Sequence, residues 1–262
     1  MKIGKEPLSR KKWVVASQFH TLKNHEVLDE VFRRIQCTKN PVLLLDLDST
    51  LYEVGPRTHQ ILKEWAESQE SSAFPEIQKF AIGAMESQIG YSVQDTFDAL
   101  KIRESHPELI EALESAKNFW AKRFFSNSYL KYDRAYAGAA AFAIEAHKLG
   151  AELVYLTGRD APNMGEGTEA NLLRDQFPWN VARTNLLLKP ASHLNDLDHK
   201  KGAADFVRNK GELVASFENE PPNLVALYDL FPEAMHVFVD TVYSDHVAYP
   251  YKGLYRISGF KS

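Results

Sequence analysis

Five short apolar runs, each closed by polar or charged residues and spaced by helical patterns, constrain this chain most. They are Val42–Leu45, Glu152–Leu156, Thr184–Leu188, Leu213–Phe217 and Met235–Val239. Continuously apolar runs of this length read as strands buried on both faces, and strands alternating with helices predict an α/β fold built on a doubly wound parallel sheet. In such a sheet the carboxyl ends of all strands lie on one edge, where ligands bind. The first run stops abruptly at Asp46-Leu47-Asp48-Ser49-Thr50. Two carboxylates two residues apart repel unless a cation or a shared proton lies between them, which makes magnesium the natural first candidate.

The other strand ends carry matching chemistry. The second closes at Thr157-Gly158-Arg159-Asp160, the third at Lys189-Pro190, the fourth at Glu218-Asn219-Glu220 and the fifth at Asp240-Thr241. A crevice shared by Asp46, Asp48, Thr157, a lysine near position 200 and Glu218 suits phosphoryl transfer. One carboxylate serves as nucleophile and the second moves the proton. The Thr157 hydroxyl and Gly158 N–H hold phosphoryl oxygens, and a lysine neutralises charge. Magnesium would sit on Asp46, the Asp48 main-chain carbonyl and an acid of the fourth strand end. Lys200, opening a helix from about Asp196 to Asn209, fits the lysine role best, with Lys201 and Lys189 as competitors.

These segments, in this order, resemble the four motifs of the haloacid dehalogenase superfamily over residues 40 to 245. The resemblance implies a Rossmann-like core with Asp46 as nucleophile, Asp48 as general acid and base, and Thr157 as phosphate ligand. It implies Glu218 as metal ligand, with Asn219 acting through water. It further implies a helical cap at 58–127, between the first and second motifs, leaving 1–57 and 128–262 as the core. Halide-releasing members generally lack the second acid, so Asp48 favours a phosphatase acting on a small phosphorylated molecule through an aspartyl-phosphate. A phosphomutase or phosphotransferase uses the same chemistry, and a non-catalytic binding protein is the further alternative. Glu218 and Asn219 depart from the usual aspartates of the last motif.

Within 58–127 the apolar spacing is helical: Ile61, Leu62 and Trp65 form one stripe, and a segment opened by Pro107 carries Leu109, Ile110, Leu113, Ala116, Phe119, Trp120, Phe124 and Phe125. Other expected helices are Asn24–Gln36 with Asn24 as cap, Gly138–Lys148, and Thr168–Gln176 with Leu172 and Leu173 inward. Gly165-Glu166-Gly167-Thr168-Glu169-Ala170 matches a dinucleotide fingerprint, but residues 160–164 read as a loop, so the required strand-turn-helix context is missing. A net charge of −4 argues against a uniformly basic nucleic-acid surface. Cys37, the one cysteine, excludes internal disulfides. No apolar stretch is long enough to span a membrane, and the expected location is the cytoplasm.

Overall fold

The computed structural model describes residues 1–101 and 108–261. Seven strands make one sheet: β1 (Gln18–Phe19), β2 (Pro41–Leu45), β3 (Glu152–Asp160), β4 (Thr184–Lys189), β5 (Glu212–Glu218), β6 (Met235–Val239) and β7 (Lys252–Ile257). Their order is β1-β7-β6-β5-β2-β3-β4, and all neighbours are parallel. From β2 the chain builds outward through β3 and β4, then returns to the other flank of β2 with β5. The order therefore reverses at β2, and a crevice opens beyond the carboxyl ends at such a reversal.

Side-chain alternation explains the two helical layers. Leu43 and Leu45 of β2, with Leu153 and Tyr155 of β3, pack on helices Asn24–Cys37 and Ala139–Lys148 through Val27, Val31, Ile35, Phe142 and Ala146. Val42, Leu44, Val154 and Leu156 face the opposite layer, where Ala203, Val207 and Leu227 cover them. In β5 the parity switches. Val42 pairs with Leu213 but Leu43 pairs with Ala215, a one-residue slip. Leu213 thus faces one layer, while Ala215 and Phe217 face the other.

Several expectations need correction. β1 and β7 flank the five expected strands at one end of the sheet. β3 runs on through Thr157 to Asp160, and helix Ala161–Arg174 starts directly after it. Residues 161–164 are therefore helical, with Pro162 tolerated in the first turn, and both glycines of the apparent fingerprint lie inside that helix. Asn24 is the first helical residue and Lys23 the cap; the Lys23 N–H donates to Glu26 at 2.6 Å, and Asn24 instead accepts from the Ser258 N–H at 3.2 Å. The helix expected from Asp196 is two, Asp196–Gly202 and Ala204–Lys210. Leu173 and Ile110 are exposed at 57% and 72%, because each lies off the buried stripe of its helix, and Phe125, at 48%, lies just past the end of its helix at Phe124.

The chain divides into two compact units, one of residues 1–52, 135–162 and 172–262, the other of 53–134 and 163–171. The sheet belongs to the first. The second contains helices Gly55–Glu67, Pro75–Ile82, Val93–Ala99 and Leu109–Phe124. Its core includes Ile61, Leu62, Trp65, Ile77, Phe97, Ala116 and Phe119. The expected helix start at Pro107 lies outside the described residues. Buried Arg57 donates from Nε to Asp133 Oδ1 at 2.8 Å and from Nη2 to Oδ2 at 3.1 Å, and its Nη1 donates to the Phe124 carbonyl at 3.0 Å. Gly167 permits close approach within this unit. A Cβ there would lie 2.7 Å from the Asn127 carbonyl oxygen, and the Gly167 N–H donates to Asn127 Oδ1 at 2.8 Å. Among the described residues no helix is long and apolar enough to cross a membrane.

His236 on β6 makes acid sensitivity predictable. It is 1% exposed, with Nδ1 against Ser216 Oγ at 2.8 Å and Nε2 against the Phe231 carbonyl at 2.9 Å. Burial pushes its imidazole down to about 4. Between about pH 6.5 and 4 the unfolded chain binds a proton that the folded chain refuses. Stability from this group is complete above pH 6.5 and falls as pH drops, by roughly 3 kcal/mol in all. Urea midpoints at pH 7, 5.5 and 4.5 should converge between wild type and His236→Gln as acid is added; a constant difference would refute the assignment.

Candidate active site

Leu45, the last residue of β2, pairs with Tyr155 on one side and Phe217 on the other. The residue just beyond β2, Asp46, donates its N–H to the Phe217 carbonyl at 3.1 Å. Asp46, Thr157 and Glu218 therefore emerge from three adjacent strands at the point where the strand order reverses. Helix Asp196–Gly202, capped by the Asn195 side chain through the Leu197 and Asp198 N–H groups at 2.9 and 3.2 Å, delivers Lys200 to the same place.

Lys200 Nζ donates to Asp46 Oδ1 at 2.7 Å and to Glu218 Oε2 at 2.5 Å. All three side chains are buried. The remaining oxygens are also engaged. Thr50 Oγ1 donates to Asp46 Oδ2 at 2.7 Å, and the Glu220 N–H donates to Glu218 Oε1 at 3.0 Å. Two carboxylates thus share one ammonium, leaving an excess negative charge out of water, which is costly. Burial pushes the Asp46 carboxyl above its ordinary range, although Lys200 and Thr50 pull against it. Burial, then the charge of Asp46, does the same to Glu218. Burial alone would lower the Lys200 ammonium, but the two carboxylates overcome this and hold it raised.

Asp48 lies one turn residue beyond. Arg159 Nε donates to its Oδ1 at 2.8 Å, and Arg159 Nη2 donates to the same oxygen. Ser49, following Asp48, adopts a left-handed φ of 61°, and its carbonyl accepts from Thr241 Oγ1. Thr157 is buried, and its hydroxyl oxygen accepts from the Arg159 N–H at 3.3 Å. Its own proton is left to donate. Gly158 sits against Asp196, where a Cβ would come within 2.3 Å of Oδ2.

Of the three candidate lysines, Lys200 reaches the carboxylates. Lys201 is exposed. Lys189 Nζ is bound to Asp196 Oδ1 at 2.7 Å and to the Leu194 and Ser192 carbonyls at 3.1 and 3.3 Å. Asn219 accepts from Thr50 Oγ1 at 3.1 Å through Oδ1 and donates to the Val242 carbonyl at 2.6 Å through Nδ2. Thr50 and Glu220 escaped the sequence reading. Thr50 bridges the first and last motifs, and its place four residues after Asp46 was the available signal. Glu220 accepts from the Ser244 N–H at 2.9 Å and from the Ser244 hydroxyl, and burial raises its carboxyl. Among the described residues no group of three or more His, Cys, Asp or Glu side chains is arranged to hold a metal ion.

The parallel order and the reversal at β2 define a doubly wound α/β core, and the carboxylate-lysine cluster lies beyond the carboxyl ends of its central strands. A solved structure from Clostridium difficile, carrying a provisional phosphatase assignment, shares the fold with a TM-score of 0.50 at 13% identity, covering 85% of this chain and 95% of that one. A haloacid dehalogenase-like hydrolase assignment from Bacteroides fragilis gives a TM-score of 0.45 at 16% identity over 83% and 96% of the two chains. A haloacid dehalogenase-like family hydrolase from Streptococcus pneumoniae gives 0.43 at 10% identity over 78% and 87%. No protein-family model matches the sequence, and no curated protein is significantly similar to it. Likeness at such identities concerns the fold.

Proposed function

We propose that this chain is a magnesium-dependent phosphohydrolase of the haloacid dehalogenase superfamily, cleaving a small phosphomonoester through phospho-Asp46. The observation that carries this reading is the buried cluster in which Lys200 Nζ joins Asp46 at 2.7 Å and Glu218 at 2.5 Å. Asp46 supplies the nucleophilic oxygen. Asp48 donates the proton to the leaving alcohol and later takes one from the attacking water. Thr157 and the Gly158 N–H hold phosphoryl oxygens, and Lys200 neutralises their charge.

The donor types suit magnesium: Asp46 and Glu218 carry hard carboxylate oxygens, held here by Lys200, Thr50 and the Glu220 N–H, with one charge beyond what Lys200 balances; the Asp48 main-chain carbonyl would add a neutral donor, and Asn219 would act through water. Magnesium bound there supplies charge neutralisation for the transferring phosphoryl group. We assign residues 58–127 the role of a substrate-selecting cap, on the support of their position in sequence between the first and second motifs. A cytoplasmic setting belongs to the same proposal and rests on the lone cysteine.

Phosphorylated metabolites incubated with the protein, with and without magnesium, are expected to release free phosphate only when the metal is present. Beryllium fluoride with magnesium should raise the melting temperature. No phosphate release from any ester, together with no magnesium-linked stabilisation, would leave a non-catalytic binding protein as the correct reading.

A further inference from the structure

We infer that Arg159 is the positioning residue of Asp48, holding that carboxylate where it can hand a proton to the leaving oxygen; the inference rests on the phosphohydrolase reading above. The two partners differ sharply in exposure. The Arg159 side chain is 1% exposed and the Asp48 side chain 30%. A cation hidden behind a carboxylate that faces the crevice acts as a clamp on that carboxylate, not as a ligand for substrate. Arg159 Nε donates to Asp48 Oδ1 at 2.8 Å, and Nη2 donates to the same atom. Arg159 is itself held, with its guanidinium carbon 5.5 Å from the centre of the fully buried Tyr52 ring. Its main-chain N–H also donates to the Thr157 hydroxyl oxygen at 3.3 Å. One residue thus fixes the proton-moving group of the first strand end and the phosphate-holding group of the second.

The consequence for the chemistry is specific. In the first half-reaction an Asp46 oxygen bonds to phosphorus and the ester P–O bond breaks, its electron pair passing to the leaving oxygen. That oxygen takes the proton from the Asp48 carboxyl, giving the free alcohol and an Asp48 carboxylate. In the second half-reaction water attacks the phosphorus of phospho-Asp46 and gives its proton to Asp48, and inorganic phosphate departs with the Asp46 carboxylate restored. Oδ1 of Asp48 accepts two guanidinium donors, and this contact sets the direction from which the carboxyl meets the leaving oxygen. Without Arg159 the carboxyl keeps its proton but loses its aim, and precise aim is what makes general acid catalysis effective.

The test uses kcat/KM across phosphomonoesters whose leaving groups range from p-nitrophenolate, which needs no proton, to simple alkoxides, which do. Arg159→Met is expected to lose about 100-fold with alkyl phosphates and under about 10-fold with p-nitrophenyl phosphate, within the range for general acid catalysis. Asp48→Asn should show the same slope, adding Arg159→Met to it should change little, and Arg159→Lys should recover part of the loss. An equal loss across all leaving groups, or full additivity of the two substitutions, would overturn the inference. If Arg159→Met does not fold, the slopes for Arg159→Lys and Arg159→Gln decide in the same way. Failure of the underlying reading looks different, because wild type would then release no phosphate from any ester and the inference would fall with it.

Discussion

Asp46→Asn is expected to lower phosphomonoester turnover at least about 10,000-fold, the scale on which loss of a covalent nucleophile acts. The same substitution should leave the fold as stable as wild type or more so. Asp46 shares Lys200 with Glu218, and burial raises the carboxyl of each acid. A neutral amide removes the excess negative charge while its oxygen still accepts from Lys200. Its NH2 can donate to Thr50, whose hydroxyl still donates to Asn219. Activity and stability therefore move in opposite directions. Steady-state kinetics beside thermal melts at pH 8 check this, and turnover within tenfold of wild type would remove Asp46 from the nucleophile's role.

In the helical unit, Asp133→Ala should cost about 3–5 kcal/mol by leaving the Arg57 guanidinium buried without its carboxylate. Arg57 is 0% exposed, and neither its bond to the Phe124 carbonyl nor its position 3.9 Å over the Phe124 ring replaces a bidentate anion. Asn171 Nδ2, which donates to Asp133 Oδ2 at 3.3 Å, loses that acceptor as well. A double replacement, Arg57→Met with Asp133→Leu, should recover most of the loss, since apolar groups of similar volume carry no such desolvation cost. Hydrogen exchange of amides in 53–134 would report the change. Unaltered protection in Asp133→Ala would show that the pair contributes little.

What the sequence made legible were features with local periodicity. The five apolar strands and the abrupt stop at Asp46 follow from burial on both faces, which one segment expresses by itself. β1 and β7 carry no comparable signal, because Gln18–Phe19 is two residues long and Lys252–Ile257 mixes polar and apolar positions. Gly165 and Gly167 read as turn formers by propensity. Packing overrides that preference at Gly167, where the neighbouring backbone leaves no space for a side chain. Lys200 could be ranked above Lys201 from helical phase, but only its distances to Asp46 and Glu218 distinguish it from Lys189. The Asp48–Arg159 pair was not legible, since the partners are 111 residues apart and the register of β2 on β3 brings them together.

Gly158 limits how freely this crevice could be reshaped. A methyl group there would strike the Asp196 carboxylate, 2.3 Å away, and that carboxylate is the anchor for Lys189. Asp196 also begins the helix on which Lys200 rides. An engineer who enlarged position 158 to alter ligand preference would turn the Asp196 carboxylate away from Lys189 as well, so altered selectivity is better sought elsewhere on the rim.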